Sequence, residues 1–179
     1  MKLLPADFEI TRYGVTVRLV TETDAEFITQ LRSDKRLGRY IHSSDGDVEK
    51  QIQWTREYKK REIQGTDYYF IFSVGNIPQG LCRIYNINDN YGTVGSWICR
   101  PDIEQNVPVL TLILTRDILF DILQLDIDYF DVRKDNKKVL RCHELFGAEK
   151  IGEDGDDLLF KLEKSIYLEK RDILLKFYL

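Results

Sequence analysis

The sequence predicts an α/β (α+β) protein with a mixed, mostly antiparallel central sheet and helices on both faces. Three observations carry that expectation. Apolar, β-branched and aromatic runs at 68–74, 80–87 and 92–99 follow one another across tight turn signals, as in an antiparallel meander. Two capped helical patterns precede the meander. After it come an apolar helix, a strand, a helix and a hairpin. A length of 179 residues suits one domain spanning 1–179, with its core at about 15–162. At 43% hydrophobic, a chain of this size can bury a core without staples. No repeat, low-complexity stretch or Pro/Gly/Ser linker marks a boundary.

Residues 15–20 (VTVRLV) alternate and are β-branched, which predicts a strand. Thr21 to Asp24 offer N-caps to a first helix carrying Ala25, Phe27, Ile28 and Leu31. A loop at 40–47 leads to a second helix at 48–63, capped by Asp47, whose many charges imply one solvated face. The meander turns at Gly75-Asn76 and at 88–90. Pro108 suits the first turn of a helix, and 109–123 is apolar almost all round, so that helix is predicted buried. A strand is expected at 127–132 and a helix at 136–146 stopped by Gly147. A strand at Lys150 and Ile151 should turn at 154–157 and return at 158–162, and 165–179 is expected to be a terminal helix.

Composition excludes several classes. A net charge of −4 does not attract nucleic acid or an anionic lipid surface. The longest apolar stretch, 107–125, is broken by Thr115, Arg116, Asp117 and Asp121 and is not a membrane span. Three cysteines without CxxC spacing (Cys82, Cys99, Cys142) read as reduced thiols, and two histidines (His42, His143) leave little for a metal cluster. With no signal peptide pattern, a cytoplasmic location is expected.

Two strings carry a resemblance: GSWICRPD at 95–102, and DVRKDN at 131–136 followed by Val139 and by HELFGA at 143–148. With the element order, they resemble the GNAT acetyltransferase superfamily, most closely its branch acting on ribosomal-protein N-termini and related small amines. Asn136, Glu144 and Gly147 match the family's second motif; Val139, His143 and Ala148 depart from it. The resemblance implies acetyl-CoA in a V-shaped opening between the strands 92–99 and 127–132. The pantetheine arm would pair with the main chain around Trp97, Ile98 and Cys99. The pyrophosphate would sit on N–H groups at the start of the next helix, where a helix N-terminus offers unpaired donors.

At that loop the family's Arg-Gly-x-Gly-x-Ala is replaced by Glu104, Gln105, Asn106, Val107, Pro108 and Val109. Both glycines are gone, Glu104 repels phosphate, and Pro108 removes a donor, while Gln105 and Asn106 can donate from their side chains. A basic cluster (Arg133, Lys134, Lys137, Lys138, Arg141) flanks Asn136 and is expected to meet the nucleotide phosphates, or else to be a solvated face. His143 stands where many relatives have the tyrosine that protonates the leaving thiolate, and a histidine titrating near neutrality can do acid–base work. Thr93 replaces a glutamate base of many relatives; His42 falls in the acceptor-shaping segment.

The expected function is transfer of an acetyl group from acetyl-CoA to a primary amine on a small molecule, amino sugar or protein N-terminus. The alternative is a decayed GNAT-fold domain that binds a ligand or partner; a weaker third is an enzyme using another acyl donor or an acidic carrier protein. An acyl-cysteine route through Cys99 or Cys142 lacks an adjacent base. The apolar segment 165–179 would dock on its own domain or form a homodimer with a second copy.

Overall fold

The computed structural model describes residues 2–34, 36, 37, 40 and 46–179. Strands β1 (Glu9–Arg12) and β2 (Val15–Leu19) form a hairpin, followed by helices α1 (Ala25–Ser33) and α2 (Val48–Ile63). The meander is β3 (Tyr68–Val74), β4 (Ile77–Tyr85) and β5 (Tyr91–Cys99). Helix α3 (Val107–Asp117) runs into a π-helical turn at Ile118–Ile122. Then come β6 (Ile127–Arg133), α4 (Lys137–Leu145), the hairpin β7 (Glu149–Asp154) and β8 (Asp157–Glu163), and α5 (Lys164–Tyr178).

The expected elements are present, with one addition. Strand β1 is a polar, mostly exposed edge with no buried face to announce it. Its turn is what makes it fold back: Tyr13 and Gly14 both adopt positive φ (58° and 73°), as a tight hairpin requires.

The eight strands make one sheet in the order β1-β2-β3-β4-β5-β6-β8-β7. All neighbours are antiparallel except β5 and β6. That parallel pair is held only at Tyr91–Ile127 and Gly92–Asp128, and beyond it the two strands part.

Each face of the sheet has its own core. On one, α1 and α2 cover Tyr69, Ile71, Leu81 and Ile98 with Ile28, Leu31 and Tyr58. On the other, α3 lies over Phe70, Phe72, Cys82, Ile84 and Val94. From Val109 to Phe120 every residue of α3 and its extension is buried. Full burial of each Leu, Ile or Phe there stabilises by about 1.5–3 kcal/mol. The buried Asp117 carboxylate gathers the Tyr13 hydroxyl (2.7 Å), the Tyr167 hydroxyl (2.7 Å) and Arg171 (3.1 Å). This ties the first hairpin to α3 and docks α5 on its own domain. Among the described residues no helix is long and apolar enough to cross a membrane.

Candidate active site

The parting of β5 and β6 opens a cleft of about 410 Å³. An unpaired strand edge in an interior needs its polar groups satisfied. Asp128 does this at the apex: one carboxylate oxygen accepts the Val94 N–H at 2.9 Å. The other accepts from Arg116 Nε at 3.1 Å, and both side chains are fully buried. The Arg116 guanidinium lies against the rings of Phe146 (4.5 Å) and Phe130 (5.4 Å). The pair is a wedge that terminates the β5–β6 ladder. Burial pushes the Asp128 carboxyl upward, while Arg116 and the Val94 N–H oppose that shift.

The same guanidinium sets the state of His143. Arg116 Nη2 lies 3.1 Å from His143 Nδ1. A guanidinium only donates, so Nδ1 accepts and the ring hydrogen resides on Nε2. His143 is buried, packs with its ring tilted 37° to that of Phe130 at a centroid distance of 4.3 Å, and lines the cleft. Burial and then the Arg116 charge push its pKa well below the ordinary value, so the ring is neutral at pH 7. The unfolded chain protonates it near about 6.5. Below that pH the unfolded state binds one more proton than the folded one, so stability falls as pH drops. Denaturation at about pH 7.5 and about pH 5.5 should show a loss that a His143→Gln variant lacks. An equal loss in both proteins would assign it to other groups.

Strand β5 carries a second irregularity. Its register against β4 shifts from Leu81–Ile98 to Arg83–Gly95, so β5 has one residue too many, and Ser96 adopts φ 49°. A bulge of this kind re-aims backbone groups out of the ladder. It lies on the cleft, which Gly95, Ser96 and Trp97 all line.

Of the residues predicted to hold a cofactor, Trp97 and Asn136 line the cleft, and Asn136 also caps α4 by accepting the Val139 N–H at 3.4 Å. Ile98 is buried beneath α1 and α2 instead, and Cys99 is half-buried at the end of β5. Gln105, Asn106, Val107 and Val109 sit at the start of α3, outside the cleft lining. Asn106 spends its amide on the Tyr178 carbonyl (3.3 Å) rather than on a cap. The Val107 N–H is taken by the Glu104 carbonyl, Pro108 has none, and Leu110 bonds to Asn106, which leaves the Val109 N–H as the first-turn donor without a partner among the described residues. Glu104 is exposed and does not line the cleft.

The basic cluster divides. Arg133 pairs with Asp156 and Asp157 (3.5 and 3.7 Å), and Lys134 with Glu153 (2.6 Å). Lys137, Lys138 and Arg141 are exposed and form no ion pair among the described residues. The Lys138 charge reaches the thiols of Cys99 and Cys142, which places it near the end of β5. Burial nonetheless pushes Cys82 and Cys99 up to about 12 and raises Cys142, so all three thiols stay protonated and unreactive. Among the described residues no group of acidic, Cys and His side chains could hold a metal ion. His42 lies outside the described residues.

Sequence reasoning missed the Asp128–Arg116 wedge. The signal was there, since Arg116 and Asp117 interrupt a helix that is otherwise apolar all round, and charges in such a place need buried partners. It also missed Tyr85 and Asp131, which line the cleft from the α1 and α2 side.

The profile of the acetyltransferase (GNAT) domain family matches residues 15–149. Among solved structures the chain is similar to apo FdhC, a nucleotide-linked sugar GNAT, at 35% identity and TM-score 0.86, covering 96% of this chain and 99% of that one. It is similar in fold to a ribosomal-protein-S5-alanine acetyltransferase from Vibrio fischeri (18% identity, TM-score 0.76, 88% and 97% covered). A spermidine N-acetyltransferase from Vibrio cholerae, in complex with CoA and spermine, is also alike (20% identity, TM-score 0.75, 88% and 99% covered). No curated protein sequence matches the chain.

Proposed function

The chain belongs to the GNAT acetyltransferase family, and on that premise we propose that it transfers an acetyl group from acetyl-CoA to the primary amine of a nucleotide-linked amino sugar. The 35% identity to a nucleotide-linked sugar GNAT over nearly the whole chain is the observation that carries this acceptor. The likenesses to the ribosomal-protein and spermidine enzymes, at 18% and 20% identity, speak for the fold alone.

Acetyl-CoA, when bound, supplies the thioester that the amine attacks. The β6-facing edge of β5 beyond Gly92, left without a neighbouring strand, suits the pantetheine arm. Trp97 and Asn136 flank that edge within the cleft. The start of α3, with the Val109 N–H as its donor without a partner among the described residues, suits a pyrophosphate poorly. Lys137, Lys138 and Arg141 supply the positive charge that this loop lacks. The bulge at Ser96 presents main-chain donors where carbonyl charge grows. His143 donates its Nε2 hydrogen toward the departing sulfur as a neutral imidazole.

The impoverished α3 N-terminus favours a second reading, a domain of this fold that no longer transfers acetyl groups. Calorimetry with acetyl-CoA and with free CoA separates the two. The proposal expects both to bind, each adding about 2.7 kcal/mol of stability at a hundred times its Kd. It expects Lys137→Ala/Lys138→Ala/Arg141→Ala to weaken both. Absence of binding at millimolar ligand would leave only the second reading.

A further inference from the structure

From the geometry of the cleft we infer that Asp131 and Tyr85 form the seat of the acceptor amine, with Asp131 taking its proton. The inference rests on the acetyl-transfer reading above and deepens it. Alternation along β6 sends Asp128, Phe130 and Val132 into the α3 core, and Asp131 to the opposite face, where it lines the cleft. Tyr85 on β4 lines the cleft from that same face. Between the two strands lies Gly95. A Cβ built there would stand 2.9 Å from the Tyr85 hydroxyl oxygen and 3.0 Å from its ring, so the phenol lies across the bare backbone of β5 toward β6. Arg83, held by Asp67, braces the ring from 5.0 Å. The Asp131 charge is felt at the phenol, where it adds to burial in resisting ionisation.

This arrangement is built for a cation. A primary amine arrives at neutral pH as an ammonium, and a carboxylate beside a hydroxyl attracts it. One proton passes from nitrogen to the Asp131 carboxylate and on to solvent. The freed lone pair forms the C–N bond, the C–S bond breaks with its electron pair to sulfur, and nitrogen's surplus proton ends on the sulfur. The amine would stand over Gly95 beside the bulge, whereas His143 reaches the fork from α4 on the other face, so attack and departure take place from opposite sides. Arg83 from β4, Arg32 from α1 and Tyr40 share the cleft with Asp131, flanked by Arg133 and Asp157. Arg83 is already paired with Asp67, and Arg133 with Asp156 and Asp157.

The test compares the wild-type protein with Asp131→Asn. The amines are nucleotide-linked amino sugars, free glucosamine and a simple alkylamine, and the best of them is carried across pH. The inference expects kcat/KM at neutral pH to fall about a hundredfold in Asp131→Asn, with acetyl-CoA affinity and thermal stability unchanged. It expects the deficit to shrink as pH rises and the amine becomes neutral on its own. Wild-type kcat/KM in Asp131→Asn, or an equal loss at every pH, would overturn it. Failure of the acetyl-transfer reading has a different signature, since the wild-type protein would then not bind acetyl-CoA. Turnover of glucosamine or the alkylamine but of no nucleotide-linked sugar would reject that acceptor while still deciding the role of Asp131. Acetyl-CoA binding with turnover of no amine would overturn both.

Discussion

Replacing Asp128 by alanine is expected to remove about 3–5 kcal/mol of stability, the cost of leaving a buried charge without its partner. Arg116 is fully buried, and Asp128 is the carboxylate facing it. The deletion also removes the acceptor of the Val94 N–H and so orphans a buried donor, about 1–3 kcal/mol by itself, which is contained within the larger figure. Asp128→Asn keeps an oxygen for Val94 and the volume of the side chain, so it isolates the charge. Denaturant unfolding of the two variants measures both contributions. The expected order is wild type, then Asn, then Ala. A loss below about 1 kcal/mol in Asp128→Ala would mean that the wedge does not hold the fork.

The second large effect falls on kcat. His143→Phe should lower it about a hundredfold or more, the usual loss on removing one preorganised donor. His143→Gln should retain most of it, because the amide oxygen can accept from Arg116 while the amide nitrogen donates into the cleft. A titrating acid would behave differently, since glutamine cannot titrate and would be as impaired as phenylalanine. Steady-state kcat at saturating acetyl-CoA, with thermal stability measured alongside, tells these apart. The Phe variant should also be less stable, because Arg116 loses its Nδ1 acceptor.

These expectations depend on features of uneven legibility. The α2 helix was readable in full, cap included, since Asp47 accepts the Lys50 N–H where a cap was expected. The buried α3 was readable because nothing but core tolerates a helix apolar on all sides. The first hairpin was not, because its edge strand buries almost nothing and its signal is one Tyr-Gly turn. The fork is a tertiary feature. Nothing in GTVGSWIC announces a serine at positive φ, and a bulge depends on what the neighbouring strand does. Asp131 and Tyr85 belong to no motif in the sequence, and only the sheet order, with β4 and β6 on either side of β5, brings them to one cleft. His143 was visible as a position but not as a state. Burial, and then its contact with Arg116, distant in sequence, turn a titrating imidazole into a neutral donor. The basic run at 133–141 reads as one patch, whereas the β7–β8 turn takes two of its members.

The most direct test of the central claim is transfer itself. The protein is incubated with acetyl-CoA and a panel of nucleotide-linked amino sugars, while released thiol is followed continuously and products are weighed by mass spectrometry. The predicted result is stoichiometric release of free CoA with an amide-linked acetyl group on one sugar of the panel, both abolished when the amine is replaced by a hydroxyl. Thiol release at the same rate with and without the amino sugars would contradict the account, because the cleft would then be cleaving acetyl-CoA without delivering its acetyl group to an amine.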